Sequence, residues 1–256
     1  MNRLHAQWQR LFLTPGQPPH SGQAPALADA QGRTRALLLE LARPAQWTAL
    51  AEVWHSVQQD LALPAPAIAI SGRDGYQLWF PLAAPIEAAQ GLAFLQALCL
   101  RYLPDVPASR LHLQAGESCG RTDTGPRRAI ALPPQAQAEP DRWSAFVSAD
   151  LAPVFGDSPW IDMAPGPDAQ ADVLAAVEPI AQGALSDALL RLSPAPASDH
   201  SPAADGAGVW PSNGLPSTSE DPRASAIAFL MQVMRDDTAP LAQRVEAARA
   251  LLESGR

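Results

Sequence analysis

The chain has 256 residues, 47 % of them apolar, and a net charge of −8, which suits one large or two small domains with a sizeable core. No apolar run approaches the roughly 18–20 residues of a membrane span, and His5, Trp8, Arg10 and Phe12 interrupt any signal-peptide core, so a soluble cytoplasmic protein without membrane contact is expected. All 18 basic residues are arginine, and the absence of lysine excludes Walker A ATPases, pyridoxal-phosphate enzymes and lysyl-adenylate ligases, each of which needs the amine.

Residues 1–30 read as a flexible N-terminal segment, richest in turn formers over 14–30 (TPGQPPHSGQAPALADA). An α/β domain is expected over 31–192. Arg35–Leu41 is a first strand. Pro44 is placed to open a helix, since its missing N–H costs nothing in a first turn. Trp47, Leu50, Ala51, Trp54 and Val57 then share one helical face. Ala65–Ile70 is a second strand, Ser71–Gly75 a turn with Asp74-Gly75 supplying positive φ, and Tyr76–Phe80 an aromatic third strand. On that strand Gln77 and Trp79 alternate with Tyr76 and Phe80. Pro85 is expected to open a second helix reaching Tyr102. Short strands follow at Arg110–Gln114, Arg128–Leu132 and Trp143–Val147, then a helical turn near Asp150–Phe155 and one or two helices in 168–192.

Residues 193–220 hold little to bury and read as a disordered linker. Over 221–256, Asp221-Pro222 makes an N-cap and first turn. Two apolar stripes (Ile227, Leu230, Val233, Met234, then Leu241, Val245, Ala248, Leu251, Leu252) predict a helical hairpin. So short a hairpin is expected to dock on a partner or self-associate.

Charge is uneven. Residues 1–128 carry 11 arginines against 9 acids, and residues 129–256 carry 7 against 17. The first half permits a basic face, with Arg121, Arg127 and Arg128 its best cluster, for nucleic-acid phosphates or for solvent. The two cysteines, Cys99 and Cys119, make no disulfide framework and no CxxC metal pair. An Arg- and Ala-rich composition without lysine also suggests a GC-rich bacterial genome.

The order β-α-β-β-α-β over 35–114 is that of a split βαβ, ferredoxin- or RRM-like unit, giving an α+β fold with the hairpin appended. Four stretches in that frame resemble the archaeo-eukaryotic primase-polymerase superfamily, most nearly the primase domain of TOTE-type conflict systems, over about residues 33–165. LLLELARPAQW at 37–47 is similar to the family's strand ending in alternating acids, with Glu40 at the first and Ala42 at the second. AISGRDGYQLWF at 69–80 resembles a strand and an S-G-x-x-G-x-H loop, with Gln77 in the histidine's place. SRLH at 109–112 puts Ser109 where the family has its third acid. AIALPPQ at 129–135 and SAFVS at 144–148 resemble its later strands.

The resemblance implies a degenerate catalytic centre. Family chemistry uses two Mg²⁺ or Mn²⁺ ions roughly 3.5–4 Å apart on those acids, and here only Glu40 remains as a catalytic and metal-ligand candidate. Ser71, Gly72, Arg73, Gly75 and Gln77 are the nucleotide-binding candidates. Trp79, Arg121, Arg127 and Arg128 are candidates for nucleic acid. Each has a plain alternative. Glu40 can pair with Arg43 or Arg73, the loop can be a hairpin turn, and Trp79 can be core.

The leading expectation is a primase-polymerase-like protein that binds DNA, RNA or nucleotide without catalysis, in a mobile element or defence system. One alternative is a living metal-dependent nucleotidyltransferase in which Asp74 replaces a lost acid. Another is an adaptor assembling through 221–256.

Overall fold

A computed structural model describes residues 2–15, 25–119, 121–122, 125–126 and 130–192, with residues 118–122 and 125–126 described by their backbone alone. The chain divides into two units after Ser198, and all described residues belong to the first. The expected linker at 193–220, the expected hairpin at 221–256, and Arg127 and Arg128 lie outside the described residues.

The first unit is a mixed α+β domain. In chain order its main elements are α1 (Arg3–Leu11), β1 (Arg33–Ala42), α2 (Trp47–Gln59), β2 (Ala67–Ile70), β3 (Gly75–Glu87), α3 (Ala88–Tyr102) and β4 (Leu111–Ala115). There follow β5 (Ser118–Cys119), β6 (Arg121–Thr122), β7 (Gly125–Pro126), β8 (Ala145–Val147), α4 (Pro167–Ala175) and α5 (Gln182–Leu192). Six strands form one antiparallel sheet in the order β5-β4-β1-β3-β2-β8, and β6 pairs with β7 apart from it.

Both faces of the sheet are covered, so β1 is buried from Thr34 to Ala42. Alternation sorts the side chains. Leu37, Leu39, Leu41, Tyr76, Leu78 and Phe80 face α2, α3 and α5. Ala36, Leu38, Trp79 and Phe146 face α1, α4 and the chain after α1. There Phe12 packs edge-on to Trp79 at 5.8 Å and stacks on Phe146 at 5.9 Å.

Four expectations are corrected. The N-terminal segment is not flexible over 3–13: Asn2 caps α1 by accepting from the Leu4 N–H at 2.7 Å, and Leu4, Leu11, Phe12 and Leu13 are core. Arg35 fastens that helix. Its buried guanidinium donates to the carbonyls of Leu82, Arg10, Leu13 and Gln9 at 2.7, 2.8, 3.1 and 3.3 Å. Residues 25–30 are ordered as well, with Leu27 buried and Ala28 bridged to Thr34, while residues 16–24 lie outside the description.

Pro44 does not open α2, which begins at Trp47. Arg43 has φ 54°, outside the helical region, and Arg110 holds the turn through the carbonyls of Ala42 and Pro44 and through Gln46 Oε1.

Pro85 does not open α3 either. Strand β3 runs on to Glu87: its ladder to β1 is interrupted beyond Pro81 and resumes with Ile86 opposite Thr34 and Glu87 opposite Arg33. In the gap it pairs with Ile180, which donates to Pro81 O and accepts from the Ala83 N–H, both at 2.8 Å. A proline at such an irregular strand end gives up no ladder bond. The part of the expected Arg128–Leu132 strand that is described, 130–132, is irregular.

The β8 edge is closed by a side chain. Gln170 of α4 accepts from the Phe146 N–H at 2.7 Å and donates to the Phe146 carbonyl at 3.0 Å. Among the described residues, no helix is long and apolar enough to cross a membrane.

Candidate functional site

Directly opposed residues in an antiparallel sheet share a face. Glu40 on β1 stands opposite Gln77 on β3 and His112 on β4. Three polar side chains therefore cross the sheet in one row, on the face that carries Trp79. All are buried: Glu40 is 6 % exposed, Gln77 1 % and His112 5 %.

The row is tied by specific bonds. Gln77 Nε2 donates to Glu40 Oε2 at 2.9 Å, and Trp79 Nε1 donates to Gln77 Oε1 at 2.9 Å. One amide thus uses both ends, its donor on the carboxylate and its acceptor on the indole. Beside His112, Gln114 accepts from the Ile130 N–H at 2.6 Å and donates to the carbonyls of Gly116 and Ile130 at 2.7 and 2.9 Å. It fastens the chain at Ile130 over this end of the sheet. His112 Nε2 and Gln114 Oε1 are 3.4 Å apart.

Strand β3, which follows the Ser71–Gly75 loop, lies beside β1 and brings Gln77 against Glu40, both of them buried. The expected third member is elsewhere. Ser109 is exposed in a 3₁₀ turn (Ala108–Arg110), and the β4 residue beside Glu40 is His112, three positions on. By sequence, His112 reads as a satisfied strand histidine, with a metal role beside Cys119 as the alternative. Alternation along β4 puts it on the face opposite Leu111 and Leu113, and the register with β1 puts it in the row.

The Ser71–Gly75 loop is closed upon itself. Ser71 Oγ accepts from the N–H groups of Arg73, Asp74 and Gly75 at 3.1, 3.2 and 2.9 Å. The Ser71 N–H donates to Gly75 O and the Gly72 N–H to Pro159 O, each at 2.9 Å. All five amides have acceptors within the protein, and a serine oxygen sits where an anion would gather them. The positive φ falls at Gly72 (77°), not at Asp74-Gly75 as expected. Each glycine is required by close approach. A Cβ on Gly72 would lie 2.6 Å from Ser144 N, and one on Gly75 would lie 2.9 Å from Glu40 Oε1.

Arg73 and Asp74 are exposed at the tip. Arg43, expected as a partner of Glu40, instead lies 3.5 Å from Asp74, both side chains being half exposed or more. Such a pair is worth at most about 1 kcal/mol. Trp79 is fully buried between Phe12 and Phe146. The core alternative therefore applies, and no base can stack on it in this packing. Arg121 lies on β6 and is described by its backbone alone.

The residues do not fit the Mg²⁺ or Mn²⁺ that the resemblance implies. Hard cations want several oxygen ligands. Glu40 offers the row's single carboxylate, and Gln77 turns its NH₂, not its oxygen, toward it. Among the described residues, no three His, Cys, Asp or Glu side chains converge on a point that could hold a metal.

The chain matches no known family in a comparison with family profiles, and no curated protein matches it.

Proposed function

We propose that the described unit is a primase-polymerase-like domain that no longer joins nucleotides and instead binds nucleic acid or nucleotide in a mobile-element or defence setting. The strand order β4-β1-β3-β2, with helices after β1 and β3, supports reading it as a split βαβ unit of the primase type. The carrying observation is the buried 2.9 Å hydrogen bond between Gln77 and Glu40. On the resemblance, these two positions hold the first metal-binding acid and the phosphate-holding histidine. Bonded to each other and covered, they act as a structural pair.

A living nucleotidyltransferase with Asp74 as substitute acid is the weaker reading, because Asp74 is half exposed at the loop tip beside Arg43. Arg73 and Arg43, both exposed there, are the described cations best placed for phosphate.

Primer extension with Mg²⁺ and with Mn²⁺ tests the loss of catalysis, comparing the native chain with Glu40→Ala. The expected result is background incorporation from both. Templated extension by the native chain alone would restore the enzyme reading. In parallel, dye-labelled single-stranded DNA, RNA and Mg²⁺-nucleotide are titrated with protein to micromolar concentrations. Saturable binding to one of them is expected, and silence from all three would remove the ligand and leave a scaffold.

A further inference from the structure

Resting on the nucleic-acid reading above, we propose that Arg142, stacked on Trp160 beside the Ser71–Gly75 loop, is a platform for a base of a single-stranded nucleic acid, with Arg73 on an adjacent phosphate.

The backbone brings the stack together. Trp143 and Ile161 form an isolated antiparallel bridge, the Trp143 N–H donating to Ile161 O at 2.9 Å and the Ile161 N–H to Trp143 O at 3.3 Å. Their neighbours Arg142 and Trp160 alternate to the other face and stand diagonal to each other. Ile161 packs against the core beneath α2 and α3, so Arg142 and Trp160 take the outer side. There the guanidinium carbon of Arg142 lies 4.0 Å from the centre of the Trp160 ring, well inside the range of a cation over an indole.

The fold does not use up either side chain. Trp8, Trp47, Trp54 and Trp79 belong to the two core clusters or pack against them, whereas Trp160 does neither. Among the described residues, Arg142 makes no side-chain hydrogen bond or ion pair. None of its nitrogens is a buried atom lacking a partner, so its donors reach water while the indole fixes its plane. A guanidinium held flat in this way is a surface on which an unpaired base stacks.

The loop brings a second cation to the same place. The Gly72 N–H donates to Pro159 O at 2.9 Å, and a Cβ on Gly72 would lie 2.8 Å from the Trp143 carbonyl carbon. Arg73 follows Gly72 and Trp160 follows Pro159, so the two side chains start from adjacent backbone. Arg73 is exposed and makes no ion pair among the described residues.

Local charge selects the form of the ligand. Asp74, Glu139, Asp141, Asp157 and Asp162 are exposed in the same stretches, so there is no continuous basic track for a duplex backbone. Stacking is the main attraction, helped by about one or two phosphates. A duplex keeps its base faces covered and offers chiefly phosphate, whereas a single strand offers both groups.

The test uses the full chain with short dye-labelled single-stranded DNA, single-stranded RNA and a duplex of the same sequence. The native protein is expected to bind one of the single strands about tenfold or more tighter than the duplex. The slope of log affinity against log salt should be about −1.5 or shallower. Arg142→Lys keeps the charge and loses the plane, and should weaken binding about tenfold. Trp160→Leu should do the same. Arg73→Gln should weaken binding and flatten the salt slope by about 0.7. Arg142→Lys leaves the backbone bridge in place, so it should melt with the native protein. Equal binding by native protein and Arg142→Lys, preference for the duplex, or a slope steeper than about −3 would each overturn the platform and leave the nucleic-acid reading standing. Failure of the native chain to bind either single strand would overturn it as well, and the wider reading falls with it only if Mg²⁺-nucleotide also fails to bind.

Discussion

Gln77 uses both ends of one buried amide, and that makes it more consequential than its polar type suggests. Gln77→Leu removes the bond to Glu40 and leaves the buried Trp79 indole N–H without its acceptor. A buried donor without an acceptor costs about 1–3 kcal/mol, and urea unfolding should show a loss of that order. Gly72→Ala should cost about 2 kcal/mol or more, because a positive φ and a backbone clash act together there. An alanine at position 72 with native stability would show that the Ser144 segment yields easily. The alternation separating Gln77 and Trp79 from Tyr76 and Phe80 was readable from the sequence. What Gln77 touches was not, because it depends on cross-strand register, and a shift of one residue would have put Glu40 on the opposite face. The loop shows the same limit. Its serine and glycines suit either a phosphate cradle or a self-closed turn, and only the position of the Ser71 hydroxyl separates the two.

Helix α1 depends on a residue far along the chain. Arg35 gathers four carbonyl oxygens, three of them from residues 9–13. Burial lowers its pKa below the ordinary arginine value, but the side chain stays charged at physiological pH. Arg35→Met keeps much of the apolar stem and removes all the donors. The expected result is earlier proteolytic cleavage within residues 2–15, together with a stability loss of about 2–4 kcal/mol. Cleavage unchanged from the native chain would mean that Phe12 alone anchors the helix. This element was missed in the sequence because Leu4, Trp8 and Leu11 make only two turns of periodicity before a proline-rich stretch. The prolines misled elsewhere for a related reason. Pro44 and Pro85 suit helix starts locally, yet a turn clasped by Arg110 and an irregular strand end suit them equally, and tertiary contacts decided both.

Helices on both faces bury the sheet, and one titratable group reports on that burial. Burial pushes the Cys99 thiol from 9.0 up to about 12. Between those values the folded protein keeps a proton that the unfolded chain has released. The stabilisation from this group is therefore complete below pH 9 and is lost as pH rises toward 12. At pH 8 in a Cys119→Ser background, a thiol reagent should modify the native protein at least about a hundredfold more slowly than the urea-unfolded chain. Comparable rates would mean that α3 opens readily. The element order β-α-β-β-α-β and the split of the sheet into two faces could be derived from hydrophobic pattern and turn residues. The cover over the Glu40 row could not, since Gln114 and the irregular chain at Ile130 make it by contacts with no periodic signature.

The Gln170 amide imitates the backbone of a neighbouring strand at Phe146. On the same side, the Ser144 N–H is taken by Gln135 O, and the Ser148 carbonyl by the N–H groups of Leu151 and Ala152. These groups are already engaged when a second chain approaches, so this margin is blunted against zippering with another copy or being recruited into fibrils. Gln170→Leu would free both Phe146 groups and leave the middle of that margin open to a foreign strand.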